Sequence, residues 1–135
     1  MLRDLINSVK HVEREARECY AGPIGYTPDE FITILVIDGC FIIELLRKSA
    51  CKKAIEHNDP LFTTASMFGS LSRDLMLLEN QVPWMVRDHL FNMTMDPTHN
   101  EPLIELVKPF LHTFFFTESF YGYPPIKDSA YHRCV

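Results

Sequence analysis

The sequence predicts an all-α fold, an irregular bundle of about five helices with a proline kink near Pro83 and a poorly ordered C-terminal tail. Apolar residues recur every three or four positions, which is the spacing of a buried helix face. Glycine and proline separate these periodic stretches. The hydrophobic fraction of 47% in a chain of 135 residues is typical of a packed core and not of a disordered chain.

The first predicted helix starts at Leu2 and has one narrow apolar face that continues to Cys19. It is expected to stop at Gly22, since glycine adopts the left-handed cap and Pro23 cannot continue a helix. The narrow face is consistent with a coiled-coil seam, but docking onto the core of the domain is the preferred interpretation.

The second helix has a strong start signal. Thr27 can cap it, Pro28 suits its first position, and Glu30 can reach back to the amide of Thr27. Tyr26 and Phe31 stand at the two ends of a hydrophobic staple.

A nearly continuous apolar run from Phe31 to Leu46 continues this helix. It falls short of the roughly 20 residues that a membrane-spanning helix needs, so a buried core helix is expected. Gly39 weakens the helix and predicts close packing by another element. Asp38 is expected to be partly buried and paired with Arg17, with Arg73 or with backbone amides, in preference to acting as a catalytic acid or metal ligand.

The central stretch from Arg73 to Phe91 contains a helix breaker. Pro83 predicts either two helices, one ending near Asn80 and the other starting at Pro83, or a single kinked helix. The polar residues Glu79, Asn80 and Gln81 are expected to bond backbone groups freed there. Trp84 is expected to anchor the core.

A last helix is expected from Leu103 to Phe114, kinked at Pro109. The domain organisation that follows is one partial helical domain over 1–118 and a flexible tail over 119–135.

Charge and motif content limit the function. The net charge is −5, with 8 basic against 10 acidic residues up to Pro60 and 5 against 8 after it, so nucleic acid is not an expected partner. The four cysteines form no paired metal motif, and reduced thiols of an intracellular protein are expected. The sequence shows no catalytic, cofactor-binding or metal-binding motif, so a non-enzyme without a cofactor is predicted.

Five segments carry a resemblance to a known family: 16–20 with Arg17, 29–31, 37–47 with Asp38 and Gly39, 58–62, and 73–83 with the residues before Pro83. Their order and spacing are similar to those of the plant family called domain of unknown function 247. The resemblance marks a set of signature residues, which we expect to be structural: Arg17, Cys19, Tyr20, Asp38, Gly39, Asp74, Glu79, Asn80, Gln81 and Pro83.

The resemblance implies a largely helical plant protein. Typical members are longer and end in a predicted transmembrane segment, and some grass members are implicated in self-incompatibility between pollen and stigma, which suggests recognition. This chain lacks the membrane segment and resembles a fragment or a short relative. The implied localisation is cytoplasmic, or at the plasma membrane through a partner.

Two hypotheses follow. The first is a non-catalytic helical interaction module that binds a protein partner, either a full-length relative or itself. The alternative is a hydrolase or metal-dependent enzyme that uses Asp38, Glu79 and a histidine.

Overall fold

The structure is a computed structural model that describes residues 1–50, 59–63, 65–77, 81–95 and 101–117. Every regular element within these ranges is helical, which confirms the all-α prediction. The elements are α1 (Leu2–Val9), a 3-10 turn (Lys10–Val12), α2 (Glu13–Glu18), α3 (Pro28–Ala50), α4 (Pro60–Thr63), α5 (Ala65–Met76), α6 (Trp84–Thr94) and α7 (Leu103–Thr117). None of the described helices is long and apolar enough to cross a membrane.

The described residues belong to two compact units. The first unit comprises Met1–Glu44 and Val82–Glu101. The second comprises the described residues of Leu45–Gln81 and of Pro102–Val135. The predicted tail over 119–135 lies outside the described residues.

The first predicted helix forms, but as α1 and α2 with a 3-10 turn between them. Its apolar face is buried at Leu5, Val9 and Ala16, and α1 packs on α6. The helix ends at Glu18, earlier than the predicted stop at Gly22. The amide of Cys19 already bonds the carbonyl of Ala16 at 3.2 Å, the tightened last turn that precedes many helix ends.

The start of α3 confirms the predicted capping box. The Thr27 amide donates to Oε2 of Glu30 at 2.9 Å, and the Glu30 amide donates to Oγ1 of Thr27 at 3.4 Å. The predicted staple is different, because the ring that packs edge-on against Phe31 belongs to Tyr20, at 5.8 Å between centroids. Tyr26 is 55% exposed.

Gly39 confirms the predicted close approach. It lies on α3 where α6 packs against that helix, and a Cβ atom at this position would lie 2.6 Å from Cδ1 of Leu90. Leu90 is fully buried. The rest of the core of the first unit is apolar, with fully or nearly fully buried Phe31, Ile32, Leu35, Val36, Ile42, Ile43, Val82, Val86 and Phe91.

The break before Pro83 takes the form of two separate helices. α5 ends at Met76, four residues before the predicted end, and Pro83 is the N-cap of α6 with φ −53° and ψ 139°. The extended backbone of Pro83 cannot continue a helix, whereas its ring suits the residue just outside one. Gln81 fulfils the role expected of the polar residues here, because its Nε2 donates a long hydrogen bond of 3.5 Å to the carbonyl of Met76 at the end of α5.

The second unit contains a buried ion pair. The Lys48 ammonium at the end of α3 lies 2.6 Å from Oδ2 of Asp59, whose side chain is 8% exposed. Oδ1 of Asp59 accepts a hydrogen bond from the amide of Leu61 at 3.0 Å, at the start of α4. Asp59 therefore satisfies both a buried cation and the first turn of a helix.

The last predicted helix forms as α7, which continues through Pro109. Its residues Leu103 and Phe110 are buried. The side chains of the Phe-rich segment after His112 lie outside the described part of the chain.

Candidate functional site

The candidate site lies in the first unit, around the guanidinium of Arg87. Pro83 is the N-cap of α6, and Trp84 is the first residue of the helix. Arg87 follows Trp84 by three residues and therefore lies on the same face of the helix. The Arg87 guanidinium lies over the Trp84 ring, 5.4 Å from its centroid. Trp84 is 43% exposed, so the prediction that it anchors the core is wrong. Its ring forms an open wall beside a cation.

Arg87 is a half-buried cation that lacks an anionic partner among the described residues. Its Nε is buried and bonds no acceptor in the described part of the chain. Burial lowers the pKa of Arg87, and the nearby Tyr20 hydroxyl acts in the opposite direction. Arginine stays protonated at any physiological pH, so a buried positive charge remains.

Tyr20 places a phenol near this cation. It follows α2, is half-buried and packs on Phe31. Burial raises the pKa of Tyr20, and the charges of Cys19 and Asp38 raise it further, while Arg87 lowers it. At neutral pH the phenol is therefore a protonated hydrogen-bond donor.

Asp38 is placed differently from the prediction. It is exposed, and it forms no hydrogen bond or ion pair with Arg17 or any other described residue. Partial burial of its carboxyl still raises the pKa of Asp38. Of the partners predicted for Asp38, Arg17 donates to other acceptors instead.

Arg17 acts as a structural tie. Its Nε donates to Oε1 of Glu13, its Nη1 to the carbonyl of Ile24 at 3.3 Å and its Nη2 to the carbonyl of Tyr26 at 2.9 Å. The guanidinium also lies 4.6 Å from the centroid of the Phe31 ring. One side chain thus joins α2, the following loop and the start of α3.

Two further signature residues with described side chains have surroundings of their own. Cys19 is exposed, and its thiol bonds the carbonyl of Glu15 at 3.5 Å. Asp74 lines an open groove of the second unit together with Leu61, Met67, Ser70 and Leu71. Glu79 and Asn80 lie outside the described residues.

A second buried polar atom lies on the same helix. Nε2 of His89 has no hydrogen-bond partner among the described residues, and the His11 ring packs edge-on against His89 at 5.3 Å between centroids. Two imidazoles alone do not make a metal site. Within the described ranges, no three His, Cys, Asp or Glu side chains are placed to hold a metal ion.

Nothing at this site supports the enzyme alternative. Asp38 lies on the surface of the first unit, and Glu79 is outside the described residues. The sequence pointed to Tyr20 and Asp38 but missed Trp84 and Arg87 as site residues. The available signal was a lone tryptophan three residues before an arginine just after a helix-starting proline.

Comparison with known proteins gives the chain relatives in plants. It is 31% identical over 87 residues to the UPF0481 protein At3g47200 of Arabidopsis thaliana, which covers 64% of this chain and 18% of the relative. It is 26% identical over 103 residues to the putative UPF0481 protein At3g02645 of the same plant, which covers 72% of this chain and 17% of the relative. The matched regions span under a fifth of the length of either relative.

No solved structure matches the chain. A family model described as plant protein of unknown function, domain of unknown function 247, matches residues 1–129. This match covers nearly the whole chain, and it agrees with the resemblance seen in the five sequence segments. The chain therefore belongs to the plant family of domain of unknown function 247.

Proposed function

We propose that the chain is a non-catalytic helical interaction module, and that an exposed apolar ridge on α3 binds a second copy of the chain. The ridge consists of Ile37 and Phe41, which are 56% and 43% exposed. They lie one helical turn apart and so form one continuous surface. Single exposed apolar residues are common, but two adjacent ones on a helix that otherwise forms the core favour a contact surface.

The charges of α3 favour a second copy as the occupant. The helix carries Asp29 and Glu30 in its first turn, and Arg47 and Lys48 in its last turn. Two copies packed antiparallel through the ridge bring the acidic first turn of each α3 near the basic last turn of the other, where Lys48 also keeps its ion pair with Asp59. Antiparallel packing also aligns the two helix dipoles favourably.

The proposal is tested by light scattering on the protein eluting from a size-exclusion column over a range of concentrations. We expect the mass to rise from monomer to dimer with concentration. The double variant Ile37→Lys with Phe41→Lys should remain a monomer with an unchanged helical circular dichroism spectrum. Met93 on α6 is similarly exposed at 44%, so Met93→Lys is the matched control and should still dimerise.

Three outcomes overturn the proposal. The first is a protein that stays monomeric at every concentration, even if it binds a different protein. The second is loss of the dimer in the Met93→Lys control. The third is a dimer that survives both lysine substitutions on the ridge.

A further inference from the structure

The first unit contains two arginines with opposite surroundings. Arg17 donates to a carboxylate and to two backbone carbonyls. Arg87 is also partly buried, but its guanidinium donates to no acceptor among the described residues. Removing a cation from water without an acceptor opposes folding, so a purely structural arginine is normally paired.

The surroundings of Arg87 suit an external anion. Trp84 provides an exposed aromatic face against one side of the guanidinium. A cation with an exposed aromatic face beside it provides two usual elements of a site for an oxyanion.

The local charge selects among oxyanions. The chain as a whole carries a net charge of −5. A doubly charged phosphate therefore meets about twice the repulsion from this net charge that a singly charged group meets. A planar carboxylate also matches the fork of the guanidinium.

We propose that Arg87 and Trp84 form a binding site for a singly charged carboxylate, carried by a small organic acid or by an acidic side chain of a peptide. This site goes beyond the contact proposed for α3 and does not depend on it. The carboxylate of the ligand accepts hydrogen bonds from the guanidinium, while the carbon atoms next to it pack on the indole.

The chain offers a direct reporter, because Trp84 is its only tryptophan. The intrinsic fluorescence of the whole chain is measured during titration with acetate, with N-acetyl-aspartate amide as a peptide-like carboxylate, and with inorganic phosphate. Sodium chloride at the same ionic strength is the reference. We expect a saturable change with both carboxylates and a non-saturating response with chloride.

Variants test which residue is responsible. Arg87→Met should abolish the saturable change, and Arg87→Lys should weaken binding by about tenfold because the fork is lost. Arg14, whose side chain is 90% exposed, provides the control, so Arg14→Met should titrate like the wild type. If an Arg87 variant fails to fold, the arginine Nε–Hε signals of the wild type provide the test, and the Arg87 signal should shift with acetate.

The outcomes separate the two sources of carboxylate. Tighter binding of the aspartate compound than of acetate supports a peptide ligand, and equal binding supports a small acid. Tighter binding of phosphate, a response equal to that of chloride, or an unchanged titration of the Arg87→Met variant each overturns the proposal. So does an Arg87 Nε–Hε signal that acetate does not move.

Discussion

Gly39 and Leu90 are packed so closely that a single methyl group does not fit between α3 and α6. A Cβ atom on Gly39 would lie 2.6 Å from Cδ1 of Leu90, which is fully buried. The buried Leu90 side chain would have to shift to admit it. The glycine is therefore a requirement of the contact between the two helices.

Gly39→Ala should destabilise the protein. Alanine gains up to about 1 kcal/mol in helix propensity, while overpacking costs about 1–3 kcal/mol, so a net loss of up to about 2 kcal/mol is expected in urea unfolding. Gly25 is the control, because a Cβ atom added there would meet nothing within 4 Å. Gly25→Ala should change the unfolding free energy by less than about 1 kcal/mol. A Gly39→Ala protein as stable as Gly25→Ala would contradict the close packing.

Arg17→Lys should also destabilise the protein, since lysine keeps the charge beside Glu13 but cannot reach the carbonyls of Ile24 and Tyr26 at the same time. A loss of about 1–3 kcal/mol is expected from thermal or urea unfolding. Arg14 forms an exposed ion pair with Glu18, so Arg14→Lys should cost less than about 0.5 kcal/mol. Equal decreases in unfolding free energy for the two variants would show that the hydrogen bonds of Arg17 to the loop do not stabilise the fold.

The Lys48–Asp59 pair should make the free energy of unfolding depend on pH. The hydrogen bond from Lys48 lowers the pKa of Asp59, and the Leu61 amide lowers it further against the opposing effect of burial. A carboxyl with a depressed pKa stabilises the fold above its unfolded pKa, and this contribution disappears as the pH falls through the folded pKa. Asp59→Asn should therefore be less stable than wild type near neutral pH, with a difference that shrinks below about pH 4.

The control for this pH dependence is Asp29→Asn, because the Asp29 side chain is 87% exposed and only loosely paired with Lys10. The unfolding free energy of Asp29→Asn should stay close to that of wild type from low to neutral pH. A difference between Asp59→Asn and wild type that is the same at low and neutral pH would rule out the ion pair as its source.

Asp38→Asn should change the stability in the opposite direction to Asp59→Asn. Burial raises the pKa of Asp38, so its folded state favours the protonated form, and that contribution is lost as the pH rises through the folded pKa. At neutral pH the charged carboxylate therefore opposes folding. Asp38→Asn should be slightly more stable than wild type at pH 7, by less than about 1 kcal/mol, and equal to it in acid. A destabilised variant at pH 7 would restore the structural role that the sequence suggested.

The features predicted correctly from sequence depend on neighbours in the chain. The Thr27–Glu30 capping box and the break before Pro83 follow from local hydrogen bonding and backbone sterics, although α6 begins at Trp84, one residue after the predicted start. The packing at Gly39 was predictable because glycine inside a helix lowers its stability, a cost that close approach of a second helix offsets.

The features that escaped prediction depend on which helices meet. The ring against Phe31 is Tyr20 and not Tyr26, and Arg17 binds loop carbonyls and not Asp38. Helical periodicity predicts the apolar face of each helix but not which other helix packs against it. The exposure of Trp84 depends on that second helix. The candidate site at Arg87 was therefore beyond what spacing alone could give.

The most direct test compares the two arginines by replacing each with methionine and measuring urea unfolding side by side. Arg17→Met removes a guanidinium that donates three hydrogen bonds and should lower the unfolding free energy by about 2 kcal/mol. Arg87→Met removes a charge that has no anionic partner among the described residues and loses a cation–π contact, so its unfolding free energy should stay within about 0.5 kcal/mol of wild type or rise. If Arg87→Met instead lost as much stability as Arg17→Met, Arg87 would be a structural residue and not a group held ready for a ligand.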